Sequence, residues 1–178
     1  YLNYNLTKID PDRAFHPANK LKEINKKFDK VILLSHQTAV EDNLLDLAKH
    51  LTILFPKYFF IVSLRQLPKF SLKDLRIIKT LKRNLMIDVC MDIYEVAKIC
   101  DLHISIYSTF ILESLSLGIP NIILDYNSIG TDYLRDILDD TYNVHFGESK
   151  KQIEHIMKEW PFSSSGDIKK HYKYLFDN

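Results

Sequence analysis

Two hydrophobic periods alternate along this chain from Lys30 to its carboxyl end: short, nearly continuous apolar runs, and longer stretches in which apolar residues return every three or four positions. "KVILLSH" is a short β-rich run. "EDNLLDLAKHLTILFP" follows, with Leu44, Leu47, Leu51 and Leu54 at helical spacing behind acidic residues in the first turn. The order then repeats. "KYFFIVSL" reads as a strand, "SLKDLRIIKTLKRN" as an amphipathic helix, "LMIDV" as a strand, "DIYEVAKIC" as a helix, "LHISIY" as a strand, "TFILESLSL" as a helix and "NIILDY" as a strand. "TDYLRDIL", "YNVHF" and "SKKQIEHIMKEW" continue it, and "SGDIKKHYKYLF" closes the chain as a helix. Parallel strands need crossover connections and are buried on both faces, so five or six such units predict a parallel sheet covered on both sides. With right-handed crossovers the fold class is α/β, a Rossmann-like doubly wound sheet of about six strands.

The amino end departs from this rhythm. Residues 1–19 carry tyrosine, asparagine and two prolines without periodicity and read as an interdomain linker or the cut end of a longer chain, which the absence of an initiator methionine also suggests. Residues 20–178, opened by the helical pattern "NKLKEINKKF", form one domain of ordinary length. With 46% apolar and 26% charged residues the chain is of soluble globular type, and no apolar run nears the ~18 residues of a membrane span. A net charge of +1 leaves no broad basic field for nucleic acid, so no nucleic-acid partner is expected. Cys90 and Cys100 lie in apolar surroundings without CxxC or clustered histidines. They read as reduced thiols of a cytoplasmic protein, and no metal site is expected.

In a doubly wound sheet, ligands bind at the carboxyl ends of the strands, which confines the search to five loops: "SHQTAVED", "RQLPKF", "CMD", "STF" and "DYNSIG". None contains GxGxxG or GxxxxGK[ST], so neither a dinucleotide fingerprint nor a P-loop is present. The fourth is the informative one. Ser108 and Thr109 open a helix, where unpaired amides and the positive end of the dipole favour an anion such as phosphate; simple capping by either hydroxyl is the plainer reading. Glu113 is four residues after Thr109 and five after Ser108, so it misses the capping-box position and falls one turn along on the face of Thr109. A carboxylate ~5–6 Å along the axis from a phosphate-holding helix start suits the hydroxyls of a ribose; on the plain reading it is an exposed or lysine-paired glutamate. Gly118 then reads as a left-handed helix cap and Pro120 as the stop before the next strand.

The order strand, Ser108-Thr109, Glu113, Gly118-x-Pro120, strand resembles the donor-binding half of GT-B glycosyltransferases, above all bacterial enzymes of capsular and surface polysaccharide synthesis. "DIYEVAKICDLHISIYST" also resembles that family's helix, Asp and strand, and the likeness is good from about residue 84 to 126. It implies that Glu113 holds the ribose and that Ser108 and Thr109 hold the diphosphate of a nucleotide sugar. Many retaining relatives carry a second glutamate eight residues earlier; here Ser105 stands there, which leaves retention or inversion open. By the same resemblance His36, Gln37 and Thr38, with Ser35, lie where relatives contact phosphate or sugar, and Arg65 stands where they carry a positive side chain. A plain turn and ordinary surface charge are the rival readings. Asp125 and Asn127 face the nucleotide or form an Asx turn, and His103, alternating with Leu102 and Ile104, reads as a satisfied core histidine.

Taken together, these features read as a metal-independent GT-B glycosyltransferase domain, without cofactor, that binds a nucleotide-sugar donor. The transfer would go to a saccharide or lipid-linked acceptor held with a missing amino-terminal domain, so the fragment alone should bind without turning over. Alternatives are a sugar-nucleotide 2-epimerase or teichoic-acid-type glycerophosphotransferase domain, and a non-catalytic Rossmann-like interaction module. Lys73, Arg76, Lys79 and Arg83 lie near one side of their helix, a solvated face or a contact with the inner leaflet of the cytoplasmic membrane.

Overall fold

The computed structural model describes residues 17–35, 41–64, 79–81, 83–88, 92–106, 108–125, 134–138, 143–159 and 164–175. Six strands form one sheet in the order β3-β2-β1-β4-β5-β6. They are β1 (Lys30–Ser35), β2 (Tyr58–Ser63), β3 (Leu85–Asp88), β4 (Leu102–Ser105), β5 (Asn121–Leu124) and β6 (Val144–Gly147). All five pairings are parallel, with Leu33 opposite Ile61 on one side and His103 on the other. Every strand expected from the apolar runs is present. Among the described residues the helices include α1 (Pro17–Lys27), α2 (Glu41–Leu54), α3 (Ile93–Ala97), α4 (Thr109–Ser116), α5 (Lys150–Lys158) and α6 (Ser165–His171), the last followed by a 3-10 turn at Tyr172–Leu175. α1 opens with Pro17, whose fixed φ and missing N–H suit the first helical position.

Alternation along β1 divides the core. Ile32 and Leu34 pack with Leu44, Leu47, Ala48 and Leu51 of α2 and with Ile153 and Met157 of α5. Val31 and Leu33 face the other way, against Leu21 and Ile24 of α1, Val96 and Ala97 of α3, and Phe110 of α4. The run is therefore apolar throughout instead of alternating with polar residues. α4 buries its other side against β5 and β6, where Ile111 and Leu115 meet Ile123, Val144, Ile168 and Tyr172.

At the amino edge Asp101 fixes β4 beside β1. Its Oδ2 accepts from the Val31 amide at 2.8 Å, its Oδ1 from Lys30 Nζ at 3.1 Å, and its own amide donates to Val31 O at 2.8 Å. Val31 is fully buried, and its amide has this carboxylate as its acceptor. Asp101→Ala is expected to cost about 2 kcal/mol in urea denaturation, the penalty of an orphaned buried amide, while Asp101→Asn, which keeps an acceptor, loses less than half of that.

Candidate functional site

The strand order reverses between β1 and β4, the neighbours at the centre of the sheet. After β1 the chain goes to α2 on one face; after β4 it goes to α4 on the other. The crevice of a doubly wound sheet opens at the carboxyl ends of such a pair. The first turn of α4 stands at that point.

Ser108 is the N-cap of α4, with φ −146 and ψ 136, and its hydroxyl oxygen accepts from the Phe110 amide at 3.3 Å. This is the plain capping role, and it uses a lone pair only: the Ser108 proton can still be donated. Thr109, the first helical residue, is exposed. Glu113 follows one turn later, half-buried, while Phe110, Ile111, Ser114 and Leu115 on the remaining sides are buried. The structure therefore brings Ser108, Thr109 and Glu113 together on one short helix. His36, Gln37, Thr38, Arg65 and Asn127 lie outside the described residues. Asp125 is buried directly after β5, its amide donating to Gly147 O at 2.9 Å. Of the basic helix face, Lys79 and Arg83 are exposed, and Lys73 and Arg76 lie outside the described residues.

Nothing in the sequence pattern singled out Tyr94. Asp92 caps α3 by accepting from the Tyr94 amide at 2.9 Å, and the Tyr94 hydroxyl donates to Glu113 Oε2 at 2.5 Å. The ring lies edge-on to Phe110, centroids 5.7 Å apart, and Phe110 is edge-on to His103 at 5.1 Å. Donation to the carboxylate, and the carboxylate's charge, hold the Tyr94 phenol above its usual pKa, so at neutral pH it is a donor.

Beneath α4 a polar chain crosses the sheet. Asn121 Nδ2 donates to Ile119 O at 3.0 Å and to Ser114 Oγ at 2.9 Å, which makes Asn121 Oδ1 an acceptor, 2.6 Å from His103 Nδ1. From this network Nδ1 carries the imidazole proton, and Nε2 accepts from the Ser35 hydroxyl at 2.7 Å. Ser105 Oγ, 3.0 Å from Ser35 Oγ, donates to Ser35 O at 3.2 Å. His103 is thus a satisfied core histidine, and burial pushes it down to about 4. Ser105 is fully buried in this chain of bonds. The network couples the end of β1 to the body of α4.

An open cleft of about 740 Å³ lies at the opposite, amino edge, lined by Lys30, Lys98, Asp101, Pro120, Ser165 and Lys169 and shared with the site only through Tyr94. Lys30 and Lys98 are engaged there with Asp101 and Glu95. Cys100 borders it. Its sulfur is enclosed although the residue keeps some surface, it donates to Leu102 O at 2.9 Å, and burial pushes the thiol up to about 12, so it is protonated at neutral pH. Among the described residues no helix is long and apolar enough to cross a membrane.

No protein-family model matches the chain, and no curated protein matches its sequence. Solved structures do match in fold. The C-terminal CMP-Kdo binding domain of WaaA from Acinetobacter baumannii superposes with a TM-score of 0.60 at 12% identity, over 91% of this chain and 97% of that domain. UDP-GlcNAc 2-epimerase from Neisseria meningitidis, solved with UDP-GlcNAc, gives 0.60 at 15% identity over 89% of this chain and 46% of its own. The wall teichoic acid polymerase TagF gives 0.54 at 16% over 94% and 42%. The chain spans nearly all of the first and less than half of the other two. At such identities the likeness is one of fold, the six-stranded Rossmann-like architecture expected from the sequence.

Proposed function

We propose that this domain binds a nucleotide-sugar donor at the carboxyl edge of β1 and β4, as the donor-binding half of a GT-B glycosyltransferase acting on a surface polysaccharide or glycolipid acceptor. One observation carries the reading: α4 starts at the switch point of the sheet with Ser108 and Thr109 in its first turn and Glu113 one turn behind. Phosphate oxygens would take the amides and hydroxyls of that turn, and the ribose the Glu113 carboxylate. As the sugar leaves, the same donors stabilise charge growing on the phosphate, catalysis by fixed dipoles that calls for no metal. The same reading gives Arg65 the role of a cation for the diphosphate, and His36, Gln37 and Thr38 that of hydrogen-bonding partners for the phosphate or sugar. The acceptor site and the catalytic base belong to an amino-terminal domain, and the exposed Lys79 and Arg83 fit a peripheral contact with an anionic leaflet.

Calorimetric titration with UDP, GDP, CMP and CDP tests this. One of them binds, and Glu113→Ala weakens it roughly ten- to hundredfold, the loss of hydrogen bonds to a charged acceptor. No binding by folded protein, or binding indifferent to Glu113, sinks the reading. The observation that Ser108 already caps α4 and that Glu113 already has Tyr94 as partner favours a rival, an interaction module without ligand, which predicts that indifference. Product analysis with the full-length enzyme separates glycosyl transfer from epimerisation and from glycerophosphate transfer.

A further inference from the structure

The contact between Tyr94 and Glu113 joins α3 to α4 across 19 residues of sequence, and it is made at an accessible place: Tyr94 is 51% exposed and Glu113 half-buried. An exposed tyrosine and a half-buried carboxylate would ordinarily turn to water. Here both are constrained. Asp92 fixes the first turn of α3, which sets the Tyr94 main chain, and the Phe110 edge sets its ring. Glu113 stands between buried Phe110 and buried Ser114 on α4, and its carboxylate meets the phenol at one oxygen, Oε2.

We infer that Tyr94 is the positioning residue of the ribose site: it ties down Oε2 of Glu113 and leaves Oε1 as the acceptor offered to a ribose hydroxyl. The inference rests on the nucleotide-sugar reading and adds to it the residue that makes Glu113 selective. A free carboxylate rotates and can accept water as readily as a diol. One already held by a phenol has fewer orientations to lose on binding, so the ordering cost falls and the preference for a hydroxylated sugar rises. The phenol also occupies one of the four lone-pair sites of the carboxylate, which leaves room for a ribose but denies Glu113 the freedom to adapt to a ligand without hydroxyls. In this arrangement Tyr94 touches Glu113 and acts on the ligand through it.

The test uses the 178-residue chain and whichever of UDP, GDP, CMP and CDP binds it, together with the 2′,3′-dideoxy counterpart of that nucleotide. Tyr94→Phe keeps the ring against Phe110 and removes only the hydroxyl, so the melting temperature should hold. Its affinity for the ribonucleotide should fall about fivefold, as expected for one lost orienting hydrogen bond, while affinity for the dideoxy compound stays the same. The ratio between the two ligands therefore shrinks, which a purely structural tyrosine would not cause. Tyr94→Leu, which removes the ring as well, should show the same loss of discrimination with a lower melting temperature. An unchanged ratio in Tyr94→Phe overturns the inference, and tighter ribonucleotide binding overturns it in favour of a tyrosine that competes with the ribose. Either result can occur while Glu113→Ala still weakens the ribonucleotide, so the wider reading would survive. If the wild-type chain binds none of the four, both fall together.

Discussion

Gly118→Ala should lower the stability of the domain by about 3 kcal/mol and its melting temperature by roughly 6–12 °C, the scale for a chain of this size. Gly118 has φ 80 and ends α4: its amide donates to Leu115 O and that of Ile119 to Ser114 O, each at 2.9 Å, the paired bonds of a Schellman cap. An alanine there incurs the left-handed penalty of an L-residue, ~1–2 kcal/mol. The added Cβ would also lie 2.2 Å from Ser165 Oγ and 2.4 Å from Ser165 O. The hydroxyl can rotate away, but the carbonyl cannot, so α6 must shift from α4. Gly166→Ala is the control. Its Cβ would meet nothing nearer than Ser164 Oγ at 3.8 Å, and within a helix the change should be neutral or stabilise by up to ~1 kcal/mol. Equal melting temperatures for the two variants would mean that position 118 neither needs its left-handed conformation nor packs against α6.

That cap was readable because it depends on residues close in sequence: Gly118, a helix before it and a proline after it. The strands were readable for a related reason. Runs such as "KVILLS" and "NIIL" are apolar on both faces, and in an α/β chain only strands covered by helices on both sides need this. Ser108, Thr109 and Glu113 could be placed together because one helix carries all three. Tyr94 could not, since its partner lies on another helix and only packing of α3 beside α4 brings them together. A lone tyrosine at a half-exposed helical position carries no signal of its own. Asp101 looked like one element of a family pattern, and its bonds to Val31 and Lys30 assign it to holding β4 beside β1.

His103 shows the same divide. Alternation within its strand marked it as a core residue, whereas its partners Ser35 and Asn121, and Ser114 behind Asn121, sit on three other elements and resemble a strand end, a strand start and a helix residue. Their meeting makes the fold sensitive to acid. Neutral His103 is bonded at both ring nitrogens and fully buried, and burial lowers it from an ordinary 6.5 to about 4. The unfolded chain therefore binds a proton between pH 6.5 and 4 that the folded chain refuses. Stability from this group is present above pH 6.5 and is lost as the pH falls toward 4, by about 3 kcal/mol at 1.36 kcal/mol per unit. Urea denaturation at intervals from pH 7 to pH 4 should show that fall in the wild-type chain. His103→Gln, which cannot titrate, should start less stable and decline less steeply over the same window. Asn121→Asp should flatten the slope by another route, because a carboxylate against Nδ1 stabilises the imidazolium and raises its pKa. Parallel slopes in all three proteins would show that His103 does not control acid sensitivity, and that the protons are taken up elsewhere in the chain.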